Sequence, residues 1–258
     1  MMYRTAGAKT RFYRVTEIGR TWQDVLSGVG SYFTSGGRYN RIQQRTVYAS
    51  ADPLVSITES AFHQAMKWQM SLGQGSLAIL PALPRPALPL VSEHWLWCFT
   101  LKNPLQLVNL DSWQARAAFP HSRYELFNPS EAYRTTADLA DAIRLHPHPK
   151  NPKRLVDGIL VPSVRTPPGT KYRPQQHIFF VPPNQVTMAA TLAGRWRLTL
   201  EFADSTNRSV HASSRDVDWS HFWFYLDQNV AAVPAYPPHS NPQVLTPATW
   251  FKYPLKYH

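Results

Sequence analysis

Clusters of proline are the feature that most clearly separates this sequence into segments. Of the 23 prolines, four lie within residues 81–89, three within 146–152 and six within 233–254. Proline fixes φ and has no backbone N–H, so it interrupts helices and interior strands. The clusters therefore predict an irregular loop at 81–89 and the end of a helix at 146–152. They also predict a C-terminal quarter that packs as an appendage on the main domain.

The most regular pattern between these clusters is that of a helix beginning at Asp52-Pro53. Asp52 has the residue type of an N-cap, and proline is favoured at the first helical position. Apolar residues then recur at three- and four-residue spacing and form one stripe, namely Leu54, Val55, Ile57, Ala61, Phe62, Ala65 and Met66. The pattern predicts a helix over residues 52–70 that packs on the core, with Glu59 beside its apolar stripe.

Short strands make up most of the remaining pattern. They are predicted at residues 11–15, 45–50, 95–101, 105–110, 158–164, 177–181 and 195–202, with a second helix at 136–145. In the 45–50 strand, Thr46 and Tyr48 share one face, while Val47 and Ala49 share the other. No long parallel βαβ pattern is present, and no Gly-x-Gly-x-x-Gly follows a strand. The sequence therefore predicts an α+β fold with short mixed sheets and flanking helices.

Composition narrows the possible functions. The formal net charge is +11, but the basic residues are scattered, which favours an anionic substrate or partner over a dedicated nucleic-acid-binding arm. No run approaches the roughly 20 apolar residues of a membrane span, and no signal peptide is predicted. The single Cys98 fits a reducing compartment, so a cytoplasmic location is expected. No metal site is predicted, because His146 and His148 have no carboxylates or cysteines near them in sequence.

Three residues draw attention for their chemistry, each with a simpler structural alternative. Glu59 is at least partly desolvated beside apolar neighbours and then needs a partner, or it reaches water at the edge of the stripe. Arg38 follows Gly36-Gly37 and is suited to clamping a phosphate, or it is a solvated loop residue. Tyr48 offers an aromatic platform for a planar heterocycle, or it packs in the sheet.

Taken in order, these segments resemble the RES-domain family, which is named for its Arg, Glu and Ser residues. The resemblance covers roughly residues 11–182 and rests on the following pieces: Phe-Tyr-Arg-Val with Arg14, Gly36-Gly37-Arg38-Tyr39-Asn40, Val47-Tyr48-Ala49-Ser50, Glu59, Leu107–Asp111, Tyr133–Ala140, Asp157-Gly158-Ile159, and Pro162-Ser163-Val164-Arg165. The order of the pieces makes the resemblance more specific than any one of them.

The resemblance implies a fold like that of ADP-ribosyltransferases and an enzyme that consumes NAD⁺ as its substrate, with no cofactor. Family members are typically toxins of bacterial toxin–antitoxin pairs, and the usual partner is an Xre-type antitoxin. Carried over by motif, the catalytic residues are Arg38, Glu59 and Ser163. The substrate-binding residues are Arg38 together with Arg14, Tyr39, Asn40 and Tyr48.

The chain also departs from the family pattern. The family usually has a glycine shortly after Gly-Gly-Arg-x-Asn, where this chain has Ile42-Gln43-Gln44, so a differently shaped turn is expected. The chain is longer than a compact RES toxin. We therefore predict a RES-type catalytic domain over residues 11–182 and a C-terminal extension over 183–258 packed on it.

The leading hypothesis is a toxin that cleaves the nicotinamide–ribose bond of NAD⁺ by hydrolysis or phosphorolysis and is neutralised by a cognate antitoxin. One alternative is an ADP-ribosyltransferase that modifies a protein. Another is a non-enzymatic module that binds nucleic acid or protein; nucleic acid is disfavoured because residues 216–251 contain aromatic residues but no Lys or Arg. A hydrolase built on Ser163 lacks the Gly-x-Ser-x-Gly motif.

Overall fold

The computed structural model describes residues 1–29, 37–71, 90–121, 132–163, 175–202 and 223–228. Several features predicted from sequence fall outside these ranges, including Gly36, the 81–89 loop and the proline-rich segment at 233–254. Within the described ranges the protein has two main sheets, a short hairpin and four helices.

The first sheet has five strands and mixed direction. Its strands are β1 (Tyr3–Ala6), β3 (Thr46–Ala49), β5 (Leu105–Asn109), β8 (Gly158–Pro162) and β9 (Gln175–Phe180). Their spatial order is β1-β5-β8-β9-β3, with β5 and β8 parallel and the other pairs antiparallel. A parallel pair needs a crossover connection, and here that connection contains two of the helices.

The second sheet is antiparallel throughout. It comprises β2 (Arg11–Glu17), β4 (Leu90–Leu101), β10 (Ala190–Phe202) and β11 (Trp223–Gln228), in the order β11-β10-β4-β2. The interior strand β10 comes after residue 183, the start of the predicted C-terminal extension. The division of the chain at that point stays a prediction.

The helices are α1 (Trp22–Ser27), α2 (Pro53–Ser71), α3 (Trp113–Ala118) and α4 (Ala132–Arg144). The predicted start of α2 is confirmed, since the Leu54 amide donates to Asp52 Oδ1 over 2.8 Å. The second predicted helix is confirmed as α4, on which Leu139, Ala140 and Ile143 are buried. The mixture of short sheets and flanking helices confirms the predicted α+β class.

Two apolar clusters lie on opposite faces of the first sheet. One joins it to the second sheet, with Phe12 and Phe99 packed against Val47 and Phe179. The other joins it to α4 and α3 and includes Val108, Ile159 and Ile178 of the sheet with Leu139 and Ala115 of the helices. The predicted division of the 45–50 strand is confirmed, because Val47 and Ala49 belong to the first cluster and Tyr48 packs against the second.

The edges of the two sheets meet where β2 passes the end of β3. Tyr13 and Ser50 exchange backbone hydrogen bonds of 2.7 and 3.0 Å across this junction. Ser56, in the first turns of α2, donates its hydroxyl to the Tyr13 carbonyl over 2.7 Å. The start of α2, and with it the approach to Glu59, is thereby fixed to both sheets.

Several elements were not predicted from the sequence, namely β1, α1, α3, β11 and a hairpin after α4. Helix α1 has a capping box, in which Thr21 and Asp24 bond each other's backbone, and it ends at Gly28 with φ of 64°. The segment after α4, where the sequence predicts only the end of a helix, forms a hairpin of β6 (Pro147–His148) and β7 (Asn151–Leu155). Its prolines are tolerated because each strand of a two-stranded hairpin is an edge strand.

The partly buried His177, whose Nδ1 is shielded from solvent, makes stability depend on pH. It packs between the rings of Phe12 and Phe179, its Nδ1 has no hydrogen-bond partner, and burial lowers its pKa from 6.5 to about 4. Between pH 6.5 and 4 the unfolded chain binds a proton that the folded chain excludes. Stability from this group is therefore complete above pH 6.5 and is lost as pH falls, by up to about 3 kcal/mol.

Between pH 6.5 and 4, the unfolding free energy falls because the protein takes up a proton at His177 when it unfolds. We expect this fall to be less steep in His177→Gln, with up to one proton fewer taken up on unfolding. The measurement is urea unfolding at a series of pH values, with the exposed-site variant His63→Gln as control. An identical slope in His177→Gln and the wild-type protein would contradict the assignment.

Candidate active site

Strand directions bring Glu59 and Ser163 to one place. Strands β3 and β8 both run antiparallel to β9, so both strands have their carboxyl ends at the same end of the first sheet. Ser163 directly follows β8, and α2, which carries Glu59, follows β3. Ser163 Oγ donates a 2.8 Å hydrogen bond to Glu59 Oε1, and Ser163 is 8% exposed. One oxygen of the carboxylate is thus held by a neutral donor.

Arg38 lies in a tight turn closed by its neighbours. Gly37 and Asn40 exchange backbone hydrogen bonds of 3.1 and 3.3 Å. A Cβ at Gly37 would stand 2.6 Å from Asn40 Oδ1 and 2.7 Å from Tyr48 Oη, closer than real Cβ atoms approach. The glycine is therefore required here for close packing rather than for an unusual φ.

The hydroxyl of Tyr48 anchors this turn to β3. It accepts the Tyr39 amide over 3.0 Å and donates to Asn40 Oδ1 over 2.7 Å. The turn is therefore built around a side chain from the neighbouring strand. The ring of Tyr48 is partly exposed and packs against the cluster on the α4 side of the sheet.

The guanidinium of Arg38 is buried in part and incompletely bonded. Its Nε and Nη2 atoms have no hydrogen-bond partner, and its Cζ lies 5.3 Å from the centre of the Tyr39 ring. Buried donors are usually satisfied, so two unpaired N–H groups on one cation mark a place where an anionic acceptor fits.

Tyr39 lies beside Arg38 and within electrostatic reach of Glu59. Its side chain is completely buried and its hydroxyl has no hydrogen-bond partner. Burial raises the pKa of the phenol to about 12; the positive Arg38 opposes this rise and the negative Glu59 adds to it. The phenol therefore stays neutral at physiological pH and lies within the electrostatic reach of both charged groups.

Two further arginines lie near Tyr48. Arg14 donates to the Val25 carbonyl over 2.7 Å, and burial lowers its pKa to about 10 against the opposing effect of Tyr48. Arg144 donates to Thr46 Oγ1 over 2.6 Å and stacks on the Phe180 ring at 3.8 Å. Burial also lowers its pKa to about 10, with Tyr48 and Asp141 opposing. Both guanidinium groups remain charged at neutral pH.

Helix α4 holds the Arg38 segment from the other side. Thr136 Oγ1 donates to the Arg38 carbonyl, and Arg41 forms ion pairs with Asp138 and Asp141. Gln44 Nε2 donates to Asp141 Oδ1 over 2.5 Å. These contacts join residues roughly one hundred positions apart in sequence.

The turn where the family usually has a glycine is closed without one. Gln43 adopts the left-handed region with φ of 69°, a conformation that costs a non-glycine residue about 1–2 kcal/mol. The Arg41 amide donates to Gln44 Oε1 over 2.8 Å, and the Gln44 amide donates to the Arg41 carbonyl over 3.2 Å. These bonds hold the turn in the shape that a glycine would adopt without strain.

The structure brings together most of the residues singled out from sequence. Glu59 and Ser163 are bonded, and Tyr39 lies within electrostatic reach of both Arg38 and Glu59. Asn40 and Tyr48 build the turn, while the guanidinium of Arg14 is bonded to α1. The sequence reasoning missed Thr136 and Arg144, because their partners lie about one hundred residues away and no local pattern marks them.

The described ranges hold no cluster of side chains suited to a metal ion. They contain no group of three or more His, Cys, Asp or Glu side chains placed to hold a metal ion. His146 and His148 have separate partners, Tyr3 and Asp157 respectively. None of the helices in these ranges has both the length and the apolar character required to cross a bilayer.

An α+β domain that joins an arginine-bearing turn, a helix glutamate and a serine at a strand end has the parts that give the RES class its name. The sequence profile of the family described as RES domain matches residues 11–201. The chain belongs to the RES-domain family.

Comparison with solved structures gives a distant likeness. The chain is similar to one in the crystal structure of the M. tuberculosis MbcT–MbcA toxin–antitoxin complex, with 14% sequence identity and a TM-score of 0.44. The similarity covers 74% of this chain and 85% of that one. No curated protein sequence matches the chain.

The packing at Gly37 gives a direct test of the turn. We expect Gly37→Ala to destabilise the protein by about 1–3 kcal/mol, because the added methyl group must displace the hydrogen-bonded Tyr48 hydroxyl and Asn40 amide. Gly7→Ala is the matched control, since its Cβ would meet only Thr10 Oγ1 at 3.2 Å. Thermal unfolding of both variants measures the difference, and equal losses of stability would contradict the packing argument.

Proposed function

We propose that this protein is a toxin that consumes NAD⁺ by cleaving its nicotinamide–ribose bond. The proposal is carried by two features of one site. Ser163 holds the Glu59 carboxylate, and the Arg38 guanidinium has two buried donors without a hydrogen-bond partner. One group suits a developing positive charge and the other suits an anion. NAD⁺ presents both, as a ribose that becomes cationic during cleavage and as a pyrophosphate.

The chemistry follows from the nature of the bond that breaks. As nicotinamide leaves with the bonding electron pair, positive charge develops on the ribose, as it does in glycoside cleavage. A preorganised carboxylate stabilises that charge more in the transition state than in the ground state. Glu59 fills this role, and Ser163 fixes one of its oxygens so that the other is available to face the ribose.

Arg38 supplies the binding half of the site. Its buried Nε and Nη2 donors have no acceptor. A pyrophosphate oxygen accepts a charge-assisted hydrogen bond from them. Tyr48 is suited to stacking against the nicotinamide ring. Water or phosphate then attacks the ribose, giving ADP-ribose or its phosphate ester together with nicotinamide.

The toxin assignment rests on family membership. RES-domain proteins typically form toxin–antitoxin pairs, so we propose an antitoxin, of the Xre type usual in the family, as the partner that blocks this site in the cytoplasm. An enzyme that depletes a central metabolite requires such control in the cell that makes it.

We expect Glu59→Gln to lower kcat/KM for NAD⁺ loss by a factor of about 10²–10³, because the amide keeps the shape of the side chain without its charge. Purified protein is incubated with NAD⁺ with and without cell extract, and nicotinamide release is followed. Glu93→Gln, which removes a carboxylate paired with Arg197 on the second sheet, is the matched control. Equal rates for Glu59→Gln and the wild type would contradict the role of Glu59, while NAD⁺ loss only with extract would indicate transfer to a protein.

The toxin assignment is tested in cells. On induction in a bacterium, the wild-type protein is expected to lower NAD⁺ before growth stops, whereas Glu59→Ala is expected to leave both unchanged. Equal toxicity of the two, or arrest of growth at a constant NAD⁺ level, would exclude this mechanism.

A further inference from the structure

The peptide group between Arg38 and Tyr39 is held at both of its polar atoms by side-chain hydroxyls. Its carbonyl oxygen accepts the hydroxyl of Thr136 from helix α4, and its N–H donates to Tyr48 Oη over 3.0 Å from strand β3. Peptide groups in turns outside regular structure more often bond to water or to nearby backbone. Here two elements that are distant in sequence fix the plane of a single peptide.

That peptide sets the direction of two side chains at once. Arg38 precedes this peptide and Tyr39 follows it, and the two side chains meet where the Arg38 Cζ lies 5.3 Å from the centre of the Tyr39 ring. Rotation of the plane therefore moves the unpaired guanidinium donors and the buried phenol in concert. Because the guanidinium makes no hydrogen bond through Nε or Nη2, those two atoms provide no anchor of their own, and the backbone has to supply the orientation.

Thr136 is suited to this task by its burial. It is 1% exposed and lies on the face of α4 turned toward the first sheet. A hydroxyl in this position meets little competition from water, so removing it leaves the Arg38 carbonyl short of a buried donor. Loss of a buried partner costs more than loss of an exposed one.

We propose that Thr136 is a positioning residue which, together with Tyr48, clamps the Arg38–Tyr39 peptide and presents the Arg38 guanidinium to an anionic ligand. This inference rests on the proposed function for the identity of the ligand as NAD⁺. The clamp itself does not depend on it, since any anion bound by Arg38 requires the same orientation.

The test uses Thr136→Val, which keeps the shape of the side chain and removes its donor, and Thr136→Ser, which restores the donor. We expect Thr136→Val to weaken binding of inorganic pyrophosphate about tenfold and to raise KM for NAD⁺ by a similar factor, with kcat changed less than about twofold. Thr136→Ser is expected to recover most of the loss. In the same variants, amide exchange in the 37–41 segment is expected to accelerate with Thr136→Val alone.

Ser112→Ala provides the matched control for a purely structural effect. Its hydroxyl is also buried and also donates to a backbone carbonyl, that of Asn109 at 2.8 Å, where it caps α3 rather than contacting the Arg38 turn. It is expected to lower stability without changing pyrophosphate affinity or exchange at 37–41. If Thr136→Val behaves as Ser112→Ala does in both readouts, the clamp is overturned.

The two proposals fail separately. A wild-type protein that binds pyrophosphate but never consumes NAD⁺ would refute the proposed function and leave the clamp to be decided by affinity and exchange. A double variant of Thr136→Val and Tyr48→Phe adds a further criterion. Two hydroxyls acting on one peptide give a combined loss of affinity that differs from the sum of the single losses, whereas strict additivity would count against the clamp.

Discussion

The hydrogen bond from Ser163 to Glu59 is the contact on which the geometry of the site depends. It joins residues 104 positions apart, at the edge of the first sheet where β8 ends and the helix after β3 passes. A partly buried carboxylate needs a partner, and most proteins provide an arginine or a lysine. A serine satisfies one oxygen without placing a positive charge beside it.

A cation and a carboxylate in one site would ordinarily neutralise each other. In this protein the fully buried Tyr39 ring lies beside Arg38 and within the electrostatic reach of Glu59. Because burial raises its pKa to about 12, the phenol adds no charge of its own at neutral pH. The unpaired donors of Arg38 lower stability in the ligand-free protein. Such a cost is expected where binding, rather than folding, has to satisfy the group.

Features that depend on residues close together in the sequence could be predicted from it. The start of α2 followed from Asp52 and Pro53, and the facing of Tyr48 followed from strand alternation, so both are confirmed. The resemblance to the RES-domain family identified Arg38, Glu59 and Ser163 as candidate catalytic residues from the sequence alone. Their catalytic roles stay predictions. The contacts of Thr136 and Arg144 were beyond local reasoning, because they depend on how α4 packs on the sheet. The capping box of α1 is marked in the sequence by Thr21-x-x-Asp24, but the glycines that follow it favour a turn-rich connection.

The departure at Gln43 explains why so many polar contacts surround the Arg38 segment. A residue with a side chain is strained at φ of 69°, and a turn under strain relaxes unless neighbouring contacts oppose the change. The ion pairs of Arg41 are exposed and individually weak. Acting with the Gln44 bond to Asp141, they tie the strained turn to α4, which also carries Thr136. The same helix thus stabilises the turn and orients the arginine, so a change in the packing of α4 would alter both together.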